Sequence, residues 1–288
     1  MKRIKIFFVF AAVMLVSVVG RAKTVTDSVR INGSMRTYKM VMPDNMKSGA
    51  PLVVLLHGYG GSDFNAPTCM DSVALSHGFA LCVPLGLKDP TGSRSWNVDY
   101  PMQEGWKEDD VDVVCQLANH VQKEYRLDKN NTFLTGMSNG GEMCYLMIYR
   151  NVKTFKAIAS VAGLTLKWMY KDLEPKVQVP FMEIHGTEDR ISEWTGDLEN
   201  KGGWGAYMPV PMAVGRIVAL NKCTHERMEI KESLKPESGH YIKKHLYLGA
   251  DNGCDVWLYE VVGASHCWHT EDMNTGEEIW RFFSQYID

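Results

Sequence analysis

Residues 132–141 read Thr-Phe-Leu-Thr-Gly-Met-Ser-Asn-Gly-Gly. Thr132 to Thr135 has the character of a short buried strand, the next five residues match the pattern G-x-S-x-G, and the run from about Gly140 to Arg150 suits a helix. In that strand–turn–helix setting the pattern has a mechanical meaning. The turn is so tight that the positions two before and two after the serine must lack side chains, which lifts the Ser138 hydroxyl above the sheet as a nucleophile. A Gly/Ser-rich loop could carry the same letters, but the strand before and the helix after favour the nucleophile.

Working outward, the same alternation repeats. Val29 to Pro43 alternates around Asn32-Gly33 and predicts a β-hairpin. Pro51 to Leu56 is a continuous apolar run that fits a strand buried on both faces. A helix from about Pro67 to His77 and a strand from Phe79 to Pro84 follow. Apolar residues at 111, 114, 118, 121 and 125 form a helical stripe ending near Arg126. Beyond the serine turn come strands at Ala157 to Val161 and Phe181 to His185, and a helix at about Pro211 to Asn221. Strands near Tyr241 to Leu248 and Val256 to Val261 precede a last helix opened by Asn274, with capping-box spacing to Glu277. Alternating β and α elements predict one α/β domain, a mostly parallel central sheet with helices on both faces, with its active site at the carboxyl ends of the strands.

A serine hydroxyl needs a histidine to take its proton and a carboxylate to hold that histidine. The loop after the Phe181 to His185 strand contains Gly186-Thr-Glu-Asp189, which makes Asp189 the expected acid, with Glu188 and Asp197 as rivals. The loop after the last strand contains Gly263-Ala-Ser-His-Cys-Trp-His269. His266 is the expected base because small residues before it allow close approach, whereas His269 is expected further on and exposed. Metal binding by His266, Cys267 and His269 is the alternative there, disfavoured because no second cluster has zinc-ligand spacing. Neither a metal nor an organic cofactor is expected. The oxyanion formed from the ester carbonyl needs N–H donors, assigned to the backbone of Asn139 and of Tyr59 in the loop His57-Gly-Tyr-Gly-Gly61. His57 itself is read as a residue that orders that loop.

The chain has 288 residues, 45% of them hydrophobic and 23% charged, which excludes a disordered or collagen-like protein and leaves ample material for one large core. Lys2, Arg3 and Lys5 precede an apolar run from Ile6 to Val19 and the small-residue site Gly20-Arg21-Ala22, the pattern of a secretory signal peptide over residues 1–22. About fourteen apolar residues fall short of the roughly 20 that a membrane span needs, so no membrane association is expected once it is removed. The remaining 23–288 carries 27 Lys+Arg against 34 Asp+Glu, a net charge of −7, which disfavours nucleic acid as a partner. Export permits disulfides among the seven cysteines; Cys223 and Cys254 flank a polar, hairpin-like stretch and are the expected pair, with two buried free thiols as the other reading.

With Ser138, Asp189 and His266 in that chain order, the sequence resembles the α/β-hydrolase superfamily. More narrowly, it is similar to secreted feruloyl and acetylxylan esterases of carbohydrate esterase family one and to polyhydroxybutyrate depolymerases. The residues that carry this are Leu55-Leu-His-Gly58, Ser95-Trp96, Asp109-Asp-Val111, Gly136-Met-Ser-Asn-Gly-Gly141, His185-Gly-Thr-Glu-Asp189, Asn221, Cys223, Cys254 and Gly263 to Trp268. The histidine motif departs from the family's Gly-x-Gly-His-x-Trp-Pro, since Ser265 precedes the histidine and His269 replaces the proline. The resemblance implies a serine carboxylesterase acting on a small-molecule or polysaccharide ester; a polyhydroxyalkanoate depolymerase, a serine peptidase of the same fold and a non-catalytic glycan-binding protein are the alternatives. Trp96, Trp194, Trp204 and Trp268 fall in loops expected near the site and are candidate platforms for a sugar or aryl ring. Asp109 and Asp110 are read as charges complementing a helix dipole.

Overall fold

Asn32 and Gly33 both take positive φ, 51° and 86°, the backbone that a two-residue hairpin turn requires. The turn joins β1 (Ala22–Ile31) to β2 (Ser34–Pro43) in antiparallel register. This is a computed structural model, and it describes residues 22–61 and 68–288. The leader expected over residues 1–22 lies outside that part except for Ala22, as does Pro67, the expected start of the first helix.

Leu52–Leu56 (β3), Ala80–Pro84 (β4), Thr132–Met137 (β5), Ala157–Val161 (β6), Phe181–Gly186 (β7) and Val256–Val262 (β10) pair in parallel as β4-β3-β5-β6-β7-β10. Antiparallel strands close both ends. β2 joins β4 on one side, and β9 (Tyr241–Leu248) followed by β8 (His225–Glu232) extends the other. Among the described residues, ten strands thus form one sheet with a parallel centre.

β3, β4 and β6 are buried at every position and almost wholly apolar because both of their faces are covered. Leu52, Val54 and Leu56 face a core layer under helices α2 (Asp110–Glu124), α3 (Asn139–Tyr149) and α5 (Val210–Asn221). Val53 and Leu55 face a second layer under α1 (Met70–His77) and α6 (Thr275–Phe283), where Phe79 stacks on Trp280 and Phe133 on Phe283. The Asn274 side chain accepts a hydrogen bond from the Glu277 amide at 3.3 Å and caps α6.

Four expectations are corrected. The strand β8 and the short helix α4 (Lys167–Asp172) were not expected. Cys223 and Cys254 are both free thiols; they are neighbours, with Cys223 Sγ 3.9 Å from the Cys254 carbonyl, but no bridge joins them. Asp110 does more than complement a dipole, for it forms a buried ion pair with Arg36 at 2.8 Å and accepts from the Asn97 amide at 2.8 Å. Asp109 caps α2 and pairs with Arg150 at 3.1 Å.

Candidate active site

Ser138 sits between β5 and α3 with φ 54° and ψ −122°, a backbone that costs a non-glycine residue of the order of 1–3 kcal/mol and persists only where its surroundings impose it. The neighbouring glycines do the imposing. A Cβ at Gly136 would lie 2.5 Å from the Gly140 carbonyl oxygen, and one at Gly140 would lie 2.5 Å from that of Leu56, so α3 packs on the strand ends at a distance only glycine allows. Ser138 donates its amide to the Val161 carbonyl at 2.8 Å and accepts from Glu142 at 2.8 Å, which holds the turn from both sides.

The loop after β7 and the loop after β10 meet at Gly186, where a Cβ would be 2.3 Å from the Ala264 carbonyl oxygen; the Glu188 amide donates to that same oxygen at 2.9 Å. This contact brings Asp189 to His266. The Asp189 Oδ1 accepts from the amides of Ile191 and Ser192, both at 2.8 Å, while Oδ2 accepts from His266 Nδ1 at 2.6 Å. Burial raises the Asp189 carboxyl, but the hydrogen bond and charge of His266, then the charge of His185, outweigh it and hold the group below its ordinary value. The rivals are placed differently. Asp197 spends its carboxylate on the amides of Glu199 and Gly202, and Glu188 lines an open depression of about 520 Å³ with Arg190, Ile191, Ser265 and His266. Among the described residues neither Ser138 Oγ nor His266 Nε2 makes a hydrogen bond, and links of this kind commonly tighten only with substrate present.

Gly58 brings the loop after β3 against the serine; a Cβ there would lie 3.8 Å from Ser138 Oγ. His57 orders that loop as a neutral ring, donating from Nδ1 to the Gly58 carbonyl at 2.7 Å and accepting at Nε2 from the Gly86 amide at 2.9 Å. Burial, then the nearby Arg94, keep it below the usual histidine range. The amides of Tyr59 and Asn139 donate to no acceptor among the described residues, and that of Asn139 lies at the N-terminus of α3. The Asn139 side chain is committed instead to Trp96, accepting from its amide at 2.7 Å and donating to its carbonyl at 3.0 Å.

Two of the four tryptophans are misplaced as platforms. Trp96 is 1% exposed and donates Nε1 to the His57 carbonyl at 3.0 Å, so it is a strut beneath the loop. Trp268 is 4% exposed and lies in the layer with α6, because the residues after His266 turn inward. The same turn buries His269, which was expected to be exposed; it takes φ 56° and reaches toward Cys267 Sγ and Asp272. Among the described residues no cluster of His, Cys, Asp or Glu is arranged to hold a metal. Trp194 and Trp204 are half-buried. Trp204 joins an aromatic group with Tyr59 at 5.3 Å and Tyr100 at 5.4 Å between ring centroids, and Trp194 sets its edge on His185 at 6.0 Å.

Sequence reasoning missed the support of this site. Tyr59 donates its hydroxyl to Asp89 at 2.7 Å, and Asp89 also binds Thr91, Ser93 and Ser95. Those hydrogen bonds overcome burial and hold the Asp89 carboxyl down. The buried Glu142, to which Tyr100 donates, and Glu183 were also missed. The one available signal was a strand, Phe-Met-Glu-Ile-His-Gly, with two ionisable residues at alternate positions in an otherwise buried run.

A parallel sheet with its serine turn, helix and loops so arranged defines the α/β-hydrolase fold. In sequence the chain is similar to esterases of that class. It is 28% identical over 172 residues to a bifunctional acetylxylan esterase/xylanase from Neocallimastix patriciarum, covering 59% of this chain and 24% of that protein, so the chain spans about a quarter of this relative's length. It is 25% identical to feruloyl esterase D from Neurospora crassa, over 91% of this chain and 86% of that one. The profile of the prolyl oligopeptidase family matches residues 73–209. Among solved structures, an acetyl xylan esterase from Aspergillus awamori superposes with a TM-score of 0.63 at 13% identity, covering 92% of this chain and 99% of that one, a likeness of fold.

Proposed function

We propose that this chain is a serine carboxylesterase that removes acyl groups from plant polysaccharide or small esters derived from it. The observation that carries the reading is the 2.6 Å hydrogen bond from His266 Nδ1 to Asp189 Oδ2, in a fold that also holds Ser138 in a strained turn at the end of β5. A proton fixed on Nδ1 leaves the lone pair on Nε2, the tautomer a general base needs. Ser138 Oγ attacks the ester carbonyl and His266 Nε2 takes its proton. Asp189 stabilises the imidazolium, and the amides of Tyr59 and Asn139 receive the oxyanion. Collapse expels the alcohol, protonated by His266, and leaves an acyl-enzyme. Water, deprotonated by the same ring, releases the acid and restores the serine. The half-buried Tyr59 and Trp204, backed by the buried Tyr100, offer the apolar face on which a sugar or aryl ring would lie.

The names of the relatives favour feruloyl or acetyl groups on xylan as the ester. Export on residues 1–22 belongs to this reading, so the form to assay is the processed chain, with Lys23 found at its N-terminus by sequencing. That protein hydrolyses a short-chain nitrophenyl ester, and Ser138→Ala loses at least about 10³-fold in kcat/KM; an unchanged rate refutes the mechanism. Methyl ferulate, acetylated xylan and polyhydroxybutyrate offered in parallel separate polysaccharide deacylation from polyester depolymerisation. Glycan binding without turnover on any of them marks a non-catalytic binder.

A further inference from the structure

Behind Asp189 lies a second imidazole that the proposed mechanism does not use. His185 and Glu183 occupy alternate positions of β7 and so point to the same side of the sheet. Both are completely buried. His185 Nδ1 lies 2.9 Å from Glu183 Oε1, and Nε2 lies 2.7 Å from the Ser192 carbonyl oxygen and 3.6 Å from Asp189 Oδ2. The ring therefore presents a nitrogen to an acceptor on each side. A neutral imidazole has one N–H and could satisfy only one of them, leaving the other nitrogen's lone pair facing oxygen in a water-free site. An imidazolium satisfies both. It also places a positive charge between two buried carboxylates that would otherwise repel.

We propose that His185 is a permanently protonated positioning residue which, clamped between Glu183 and Asp189, holds Asp189 ionised and offsets part of its field at His266. The inference rests on the Ser138–His266–Asp189 reading for its consequence in catalysis, but the charge of His185 can be measured without it. The surroundings agree in sign. Burial pushes the His185 ring down, yet the hydrogen bond and charge of Glu183, the Ser192 carbonyl and Asp189 together raise it above the ordinary histidine value. From α3, Glu142, Cys144 and Tyr145 face Glu183, and burial, then the charge of Glu183, raises all three well above their usual values, which favours their uncharged forms. From the loop after β10, His269 is pushed down by burial and by the charge of His185, so it too is neutral. Tyr207, on the Asp189 side, is pushed up to about 12 and stays a phenol. The charges that matter are thus Glu183, His185 and Asp189, and His266 meets them through its hydrogen bond to Asp189.

The sign of the effect follows. A cation beside Asp189 weakens the pull of that carboxylate on a proton at His266. Removing the cation strengthens that carboxylate's attraction for an imidazolium at His266, so the acid limb of activity moves up. The experiment is nitrogen NMR of uniformly labelled histidine in the full protein, with the pH profile of ester hydrolysis measured alongside. In the wild type one ring remains doubly protonated from pH 5 to pH 8.5, and that signal is absent from His185→Gln. In Glu183→Gln, whose amide can turn to donate an N–H to Nδ1, His185 becomes singly protonated on Nε2, and the acid limb of kcat/KM moves up by about 0.5 pH unit or more. A His185 ring with one N–H in the wild type overturns the proposal, and so does an acid limb of kcat/KM that is unmoved in Glu183→Gln. If the protein turns over no ester while the NMR results hold, the functional reading fails and the placement of the charge stands.

Discussion

A methyl group at Gly140 would meet the carbonyl oxygens of Leu56 at 2.5 Å and His57 at 2.8 Å, both fixed backbone atoms of β3 and the loop it launches. Neither can retreat without pulling the loop at Gly58 off the serine. At Gly215, inside α5, the same methyl meets nothing within 4 Å. One substitution therefore has opposite signs at two glycines. Gly140→Ala is expected to lower stability by about 3 kcal/mol, the scale of an overpacked core site, and to abolish ester hydrolysis. Gly215→Ala is expected to raise stability by about 0.5–1 kcal/mol through helix propensity, with activity unchanged. Urea denaturation of both variants reads the difference, and a stable, active Gly140→Ala would mean the turn is not built as described. Ser138 was legible in the sequence for this same reason: the chemistry demands glycines at fixed offsets, and glycines can be counted. The network of Glu183 and His185 was not, because its partners come from Ser192 and Asp189 in the loop beyond, and only folding reveals which oxygen faces which nitrogen.

At the scale of elements, the bounds of β6 and β9 were legible to the residue, since alternating or continuous apolar runs bounded by turn residues have few other readings. His225 to Glu232 was missed because its alternation is polar on nearly every position; β8 is exposed along its length and is held by β9 alone. Trp96 and Trp268 were misjudged for a related reason. Loop membership follows from topology, but whether a loop residue points out or under does not.

The β8–β9 hairpin is anchored to the loop after β10 chiefly through Asp272, with the Lys235–Glu271 ion pair beside it at 2.5 Å. Asp272 accepts from Ser233 and His240, each at 2.9 Å, and its carbonyl accepts from the Leu234 amide at 2.9 Å. Burial alone would raise its carboxyl, but hydrogen bonds from His269, His240 and Ser233 bring it down to about 2. A carboxyl lowered on folding stabilises the native state above its unfolded value near 3.9, and that contribution fades as pH falls toward 2. Asp272→Asn is accordingly expected to cost about 1–2 kcal/mol at pH 7, with the difference from wild type closing between pH 4 and pH 2. Chemical denaturation across that range measures it, and a penalty independent of pH would remove the carboxylate from the explanation.

For the whole molecule, the question is whether the site can fail separately from the fold. Ser138, Asp189 and His266 hang on β5, β7 and β10, and β6 is the strand that joins β5 to β7 through continuous parallel pairing. Both core layers are continuous along this sheet, one under α2, α3 and α5 and the other under α1 and α6, so among the described residues no plane of weak contact divides β5, β7 and β10 from each other. Such a chain should unfold as one unit despite its length. Scanning calorimetry is expected to give a single transition with equal calorimetric and van't Hoff enthalpies, of roughly 180 kcal/mol near 60 °C at about 0.7 kcal/mol per residue. Ester hydrolysis assayed on samples held at each temperature should disappear along the same curve. Two resolved peaks, or activity lost several degrees before the heat is absorbed, would mean that the loops carrying Asp189 and His266 melt on their own, and that the contact at Gly186 is too weak to bind them to the sheet.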